Sequence, residues 1–440
     1  MFSKERLISY LATTAISFWL IASGAASAQL QIEIVDGVES ALPVAVVPFD
    51  FGDAELQPET PVHEVIAADL QRSGLFDPLA VSDMIDRPTR PPEISFGTWR
   101  LLEVDYVAMG RWIPGSEGTS GEIEYHLVAV NSGRTLFSRA IAAGPGAFRL
   151  RAHQIADAIY EELTGAPGAF ASRIAYVKAT DAGTDDERFE LIVADSDGHN
   201  PQTIVRHSEP IMSPAWGPEG RRLAYVSFAT GRSNVVIQDI FTGQRDIISE
   251  SRGINGAPAF SPDGESLAMS LSRSGNSEIW VRTLQTGRME KLTNHWAIDT
   301  EPAWSRDGRR ILFTSDRAGR PQIYQVRRNG TGIERVTYEG DYNSRVSVDP
   351  YNGLLAMVHG AQANFRIAVF DRETERLRVL SPGRMDESPS FAPNGRMVLY
   401  AAREGERGVL AAVSVDGRFR QRLVLTEGDV REPAWSPLIQ

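Results

Sequence analysis

One motif, seen most clearly as Pro258-Ala259-Phe260-Ser261-Pro262-Asp263-Gly264, returns through the last two-thirds of the chain and leaves few folds open. Further copies occupy residues 214–220, 302–308 and 389–395, Pro433-Ala434-Trp435-Ser436-Pro437 closes the chain, and a degenerate copy at 345–350 fills the one gap. The large or branched residue of each copy falls at Trp216, Phe260, Trp304, Val346, Phe391 and Trp435, at spacings of 44, 44, 42, 45 and 44. Between copies the same units recur. A Pro-Asp-Gly type turn, in which glycine supplies positive φ, leads into a second strand such as 223–226 or 267–270. Polar turns then lead to a third strand (235–239, 279–283, 323–326 or 367–370) and a fourth (289–292 or 333–336). Four short strands in a unit of about 40–45 residues define a propeller blade, and so much Gly, Pro and β-branched residue is incompatible with a helical repeat. The fold class expected is therefore an α/β N-terminal domain followed by an all-β six-bladed β-propeller over 170–440.

The ends of the array indicate how the ring closes. Arg173-Ile174-Ala175-Tyr176-Val177 matches the second strand Arg222-Leu223-Ala224-Tyr225-Val226, yet no aromatic first strand precedes it. The last copy stops after its first strand. Residues 433–437 are thus expected to supply the inner strand of the blade that begins at Ile174, leaving neither edge open.

Residues 29–165 lack the repeat and read as a small α/β domain. Strands are expected at 44–49, 106–109 and 123–130. A helix is expected at 61–71, with Val62, Val65, Ile66 and Leu70 on one face. A second, at 148–163, carries Ile155, Ile159 and Leu163 and ends at Gly165. The hinge falls at 164–168. Ahead of this domain, Lys4 and Arg6, an apolar run over 7–22 and Ala26-Ser27-Ala28 read as a cleaved export signal, so residues 1–28 are assigned to it. Ser9, Thr13, Thr14 and Ser17 interrupt that run, which is short for a spanning helix, and no integral membrane segment is expected in the mature chain. Cysteine is absent from all 440 residues, which excludes disulfides and thiolate chemistry. Export without bridges points to a bacterial periplasm. A formal charge of −12 opposes binding to nucleic acid or anionic lipid and favours protein partners.

Catalytic signatures are missing. The chain has no Gly-x-Ser-x-Gly elbow, no His-Glu-x-x-His and no phosphate-binding glycine loop, so no catalytic, cofactor-binding or metal-binding residue is assigned. His207 and His295 each lie nine residues before a blade aromatic, but two blades apart, and read as solvated or partner-contacting. Asp195-Ser196-Asp197-Gly198-His199-Asn200 has the look of a calcium loop but lies between two strands and reads as a hairpin turn. Trp216, Trp304 and Trp435 occupy equivalent inner-strand positions and read as core rather than as a stacking platform. The alternative function, a propeller hydrolase or metal-dependent lyase, needs a histidine cluster or a hydrolase domain.

The stronger candidates are the polar segments before each inner strand: Met212-Ser213, Asn255-Gly256, Asp299-Thr300-Glu301, Asn343-Ser344, Asp386-Glu387-Ser388 and Arg431-Glu432. Outer-to-inner connections of a propeller converge on the channel mouth, and loops on a rigid scaffold carry function.

Export signal, α/β domain and six such blades, together with Val46-Val47-Pro48-Phe49, residues 67–74, residues 255–264 and residues 314–322, resemble the TolB family of the Tol-Pal system across the whole mature chain. The resemblance implies a non-enzymatic periplasmic subunit, expected to be monomeric, that links TolA to the peptidoglycan-associated lipoprotein Pal and supports envelope integrity and constriction at division. It places the Pal contact on the rim, at Asn255, Asp299, Thr300, Glu301, Asn343, Asp386, Glu387 and Arg431. It places the contact with the TolA C-terminal domain on Gln29, Leu30, Gln31, Ile32, Glu33 and Ile34. Family members often carry His where this chain has Ile254, a departure at the Pal contact. Other envelope proteins are further candidate partners. From the residues alone, Ile32, Ile34 and Val35 make a strand-like end able to pair with another sheet's edge.

Overall fold

The computed structural model describes residues 30–36, 41–52, 57–116, 120–144, 146–351, 353–425 and 428–439. The expected export signal at 1–28 and Gln29 lie outside the described residues.

The N-terminal domain is a five-stranded sheet flanked by helices. In chain order its elements are β2 (Leu42–Val46), α1 (Val62–Arg72), β3 (Phe76–Pro78), α2 (Phe96–Leu101), β4 (Tyr106–Pro114), β5 (Gly121–Ala129), β6 (Arg134–Ala143) and α3 (Phe148–Thr164). A preceding strand, β1 (Gln31–Asp36), belongs elsewhere. The sheet order is β3-β2-β4-β5-β6, with β2 parallel to β3 and β4, and β4, β5 and β6 antiparallel. Alternation along β2 sends Val44 and Val46 into the core formed with Ile66 of α1 and Ile155 and Ile159 of α3. Ala45 and Val47 point the other way, to Trp99 of α2 and Met109 of β4. The strand expected to reach Phe49 stops at Val46. Val47 N–H still bonds Ala108 O (2.9 Å), but Pro48 has no N–H to continue the ladder. Gly165 ends α3 in the left-handed conformation with φ 71°, as its position suggested.

The propeller has six sheets among the described residues. Blade II illustrates the pattern: Ile211–Trp216 innermost, then Arg222–Ser227, Asn234–Asp239 and Arg245–Ser249, all antiparallel. The inner strands of blades III to VI are Asn255–Phe260, Asp299–Trp304, Tyr342–Val348 and Glu387–Phe391. Blade I draws its inner strand from the end of the chain: Asp429–Trp435 pairs with Arg173–Thr180, with Trp435 opposite Ile174. The ring therefore closes as the sequence suggested. Blade contacts are apolar face to apolar face. Leu223 and Tyr225 of blade II, for example, pack on Ala175 and Val177 of blade I. The blade tryptophans also bond backward: Trp216 Nε1 donates to Ala434 O (3.0 Å) and Trp304 Nε1 to Ala259 O (3.0 Å), each in the preceding blade. Each indole is thus both core and register pin.

β1 joins the propeller rather than the α/β domain. It adds to the outer strand of blade VI, Arg420–Val424, with Gln31 opposite Val424 and Ile34 opposite Gln421. The first strand of the segment expected as the 29–165 domain thus pairs outside that domain's own sheet. The driving force is Leu30, buried among Tyr176, Leu399 and Leu423, where glycine is needed opposite: a Cβ on Gly198 would come within 2.5 Å of Leu30 Cβ. No described helix is long and apolar enough to cross a membrane.

Candidate functional site

Every inner strand breaks register at the same point. The pairing slips between Met212 and Ala215, Gly256 and Ala259, Thr300 and Ala303, Ser344 and Ser347, Glu387 and Ser390, and Arg431 and Ala434. At each slip one non-glycine residue is left-handed: Ser213, Ala257, Glu301, Arg345, Ser388 and Glu432, with φ between 46° and 54°. A bulge with a positive φ turns its side chain off the pleat, and six copies aim six side chains at the axis. Together they line a cavity of about 150 Å³ in the channel. Left-handed non-glycine residues cost about 1–3 kcal/mol each, so the ring is a place where packing overrides local preference.

Arg345 spans that ring. Its Nη2 lies 2.7 Å from Glu432 Oε2 and its Nε 3.3 Å from Glu301 Oε1, while Nη1 donates to Ser388 Oγ at 2.5 Å. Glu301 Oε2 also accepts from Arg345 N–H (3.0 Å) and Thr314 Oγ1 (2.9 Å). Burial alone would disfavour the guanidinium charge, but Glu432 and Glu301 more than offset it and hold Arg345 charged. Glu387, an exposed residue whose carboxyl is partly desolvated beside the ring, is pushed up by that desolvation. The sequence reading passed over Arg345, because its blade copy lacks the proline and aromatic that mark the others. The charge at a position held elsewhere by Ser, Ala or Glu was the available signal.

The rim residues nominated from sequence divide by register. Two positions before each bulge, Asn255, Asp299, Asn343 and Asp386 are buried. Asn255 Oδ1 accepts from Ser249 Oγ (2.6 Å) and Ser251 N–H (3.0 Å). Asp299 takes both carboxylate bonds from Arg317 Nη2, at 2.8 and 2.7 Å. Asn343 Nδ2 donates to Gln322 Oε1 (2.9 Å) and Glu339 O (2.8 Å), and Asp386 accepts from Ser381 Oγ (2.5 Å). These four clamp the outer-to-inner loops and present no side chain to solvent. One position later, Thr300 and Arg431 are half-buried and Glu387 exposed, together with Met212. Ile254, Ile298 and Met385, each just ahead of a clamp residue, are also exposed, as are Trp296 and Tyr338 in the same loops. The accessible rim is therefore more apolar than the sequence reading supposed.

The comparisons with known proteins agree with this architecture. A family model described as the TolB amino-terminal domain matches residues 30–136, and one described as the TolB beta propeller domain matches residues 160–439. A relative from Xanthomonas campestris pv. campestris (strain B100), named Tol-Pal system protein TolB, is 58% identical over 410 residues, 93% of each chain. Another of the same name, from Xanthomonas oryzae pv. oryzae (strain PXO99A), is 55% identical over 435 residues, covering 98% of this chain and 99% of its own. The crystal structure of TolB from Acinetobacter baumannii superposes with a TM-score of 0.85 at 38% identity, covering 93% of this chain and 100% of that one. This chain belongs to the TolB family. It is thereby a component of the Tol-Pal system of the cell envelope.

In this TolB-family chain a second set of charged groups lies at the domain seam, on the propeller face opposite the mouth. Asp69 of α1, His153 of α3 and Asp197 of the blade I turn could together present ligands to a metal ion. Arginines already hold the carboxylates: Arg72 Nε lies 2.9 Å from Asp69 Oδ1, and Arg149 donates to Asp197 Oδ2. Two guanidinium groups among three ligands make this an ion-pair network rather than an open cation site. His153 Nδ1 lies 2.6 Å from Asp69 Oδ2 and Nε2 is 3.9 Å from Asp197 Oδ2. Burial would push this imidazole down, but Asp69 and Asp197 outweigh burial and raise it. Residues 195–200 do form the expected turn, with Gly198 N–H bonded to Asp195 O (2.8 Å), and Asp197 in that turn reaches across to the other domain. His207 and His295 are not brought together. His295 lies against Trp296 with the rings tilted, and its Nδ1 accepts from Ala297 N–H.

Proposed function

We propose that the chain is a non-enzymatic, monomeric adaptor of the periplasm that links TolA to Pal, supporting outer-membrane integrity and envelope constriction at division. The observation that carries this reading is the six-fold ring of bulged inner strands, which gathers one loop per blade into a single docking face. The loops are held by internal clamps, and exposed apolar and charged side chains stand between the clamps. On this reading Thr300, Glu387 and Arg431 contact Pal with Ile254, Ile298 and Met385. Glu301 shapes the channel behind them, and Asn255, Asp299, Asn343 and Asp386 act by holding the loops. For TolA the supporting feature is β1, the last strand of the blade VI sheet, whose outer edge carries no paired strand among the described residues and could accept one. Gln29 to Ile34 would be read there by main-chain pairing.

Pull-down tests both halves separately. Thr300→Arg and Glu387→Arg should abolish capture by immobilised Pal while leaving TolA capture unchanged. Removal of residues 29–34 should do the reverse. Unaltered Pal capture by both rim variants refutes the rim assignment.

A further inference from the structure

Between the two domains lies a cavity of about 310 Å³, at the lower end of the size range of small-molecule pockets. Its walls come from both domains and from the linker. Tyr160 near the end of α3 and Phe170 of the linker face Trp435, Met397 and Val415 of the propeller. These give a mostly apolar interior with aromatic rings on both sides.

Two polar groups at its wall lack partners. Gln421 is 2% exposed, and its Oε1 accepts no hydrogen bond among the described residues. A buried acceptor left unmade costs about 1–3 kcal/mol, which a donor placed in the cavity would recover. Arg396 is exposed at the opening, and its guanidinium makes no hydrogen bond or ion pair among the described residues. Asp416, also in the wall, is already taken by Ser414 Oγ (2.5 Å) and Arg418 N–H (3.0 Å). Tyr160 is pushed up by burial, with Arg396 close enough to oppose that shift, so the phenol stays protonated beside a free cation.

We propose that this cavity binds a small amphipathic anion. Its apolar body, aromatic or branched, fills the space between Tyr160, Phe170 and Trp435. One carboxylate or sulfonate group meets Arg396, and one N–H or O–H donor satisfies Gln421 Oε1. A purely apolar molecule would leave Gln421 unmade, and a polyanion would find, among the described residues of the cavity wall, one cation without a partner in a chain of net charge −12. Because the walls belong to both domains, a bound molecule stabilises their docked arrangement by mass action.

The test uses the full mature chain and 1-anilinonaphthalene-8-sulfonate, which carries a sulfonate, aromatic rings and one N–H. One saturable site per chain is expected, with a fluorescence rise on binding. Arg396→Glu should weaken it by about tenfold or more, the value of one charge-assisted contact. Gln421→Leu should weaken it too, and Val415→Trp, which fills the cavity, should remove it. Arg396 is exposed, so its variant should retain the wild-type circular dichroism spectrum and report on binding alone. Absence of a saturable site, or wild-type affinity in both Arg396→Glu and Val415→Trp, overturns the proposal.

Discussion

Replacing Arg345 by methionine should unlock the channel ring. The side chain is 22% exposed, and its carboxylate partners Glu301 and Glu432 are 26% and 12% exposed. Breaking a fully buried ion pair by removing one member costs about 3–5 kcal/mol. Partial exposure here reduces that to about 2–3 kcal/mol by solvent screening. A domain of this size loses roughly 2–4 °C per kcal/mol, so the expected fall in Tm is about 4–12 °C at pH 7.5, read by calorimetry. The cause can be separated from lost packing. Adding Glu432→Gln removes one of the two stranded charges and should recover part of the loss, although alone it should be destabilising. The deficit should also shrink as pH falls, because Glu387 beside the ring, its carboxyl pushed up by desolvation, takes a proton and relieves part of the repulsion. A Tm within roughly a degree of wild type, or purely additive losses in the double variant, would refute the argument that Arg345 neutralises the ring.

Three further outcomes follow from the contacts described. Deleting residues 429–440 removes the inner strand of blade I and should abolish cooperative thermal unfolding of the propeller, seen by circular dichroism. His153→Leu should loosen the seam and speed proteolysis in the linker at 165–169. Because the folded imidazole titrates above its ordinary 6.5, its stabilisation is complete below that value and fades as pH rises through the folded one, so the gap between wild type and variant should narrow at alkaline pH. Leu30→Asp should cost about 2 kcal/mol of strand docking and expose amides 31–36 to hydrogen exchange without lowering the propeller Tm.

Much of this architecture was legible because the repeat is a long-range signal written locally. Each Pro-Asp-Gly turn marks a hairpin, each aromatic an inner strand, and the unmatched strand at Ile174 forces the closure with Trp435. The helices at 62–72 and 148–164 followed from 3.6-residue periodicity and from Gly165. What the sequence hid was set by tertiary geometry. Asn255, Asp299, Asn343 and Asp386 are polar like surface residues, yet a bulge two positions later turns them inward to close their own loops. Arg345 sits in the copy that had lost its motif, so only the ring reveals what it spans. β1 read only as a strand able to pair with some sheet's edge, because its partner strand lies nearly 400 residues away. The charged seam draws Asp69, His153 and Asp197 from three separate segments, of which only 195–200 resembles a metal loop, and nothing local shows that they meet.

The closure of the ring also sets a schedule for folding. Trp435 meets Ser172 across 263 residues, so a chain emerging from its N-terminus cannot complete blade I until its last strand arrives. Loop closure over that distance costs about 5 kcal/mol of chain entropy. The N-terminal domain stands ready to lower it. Before the last strand exists, this domain can already hold blade I through Arg72 and Arg149, and its linker can hold blade VI through the bond from Asn394 to Pro167 O. Made first, it would act as a jig that keeps the two ends of the array side by side until the final strand slots between them.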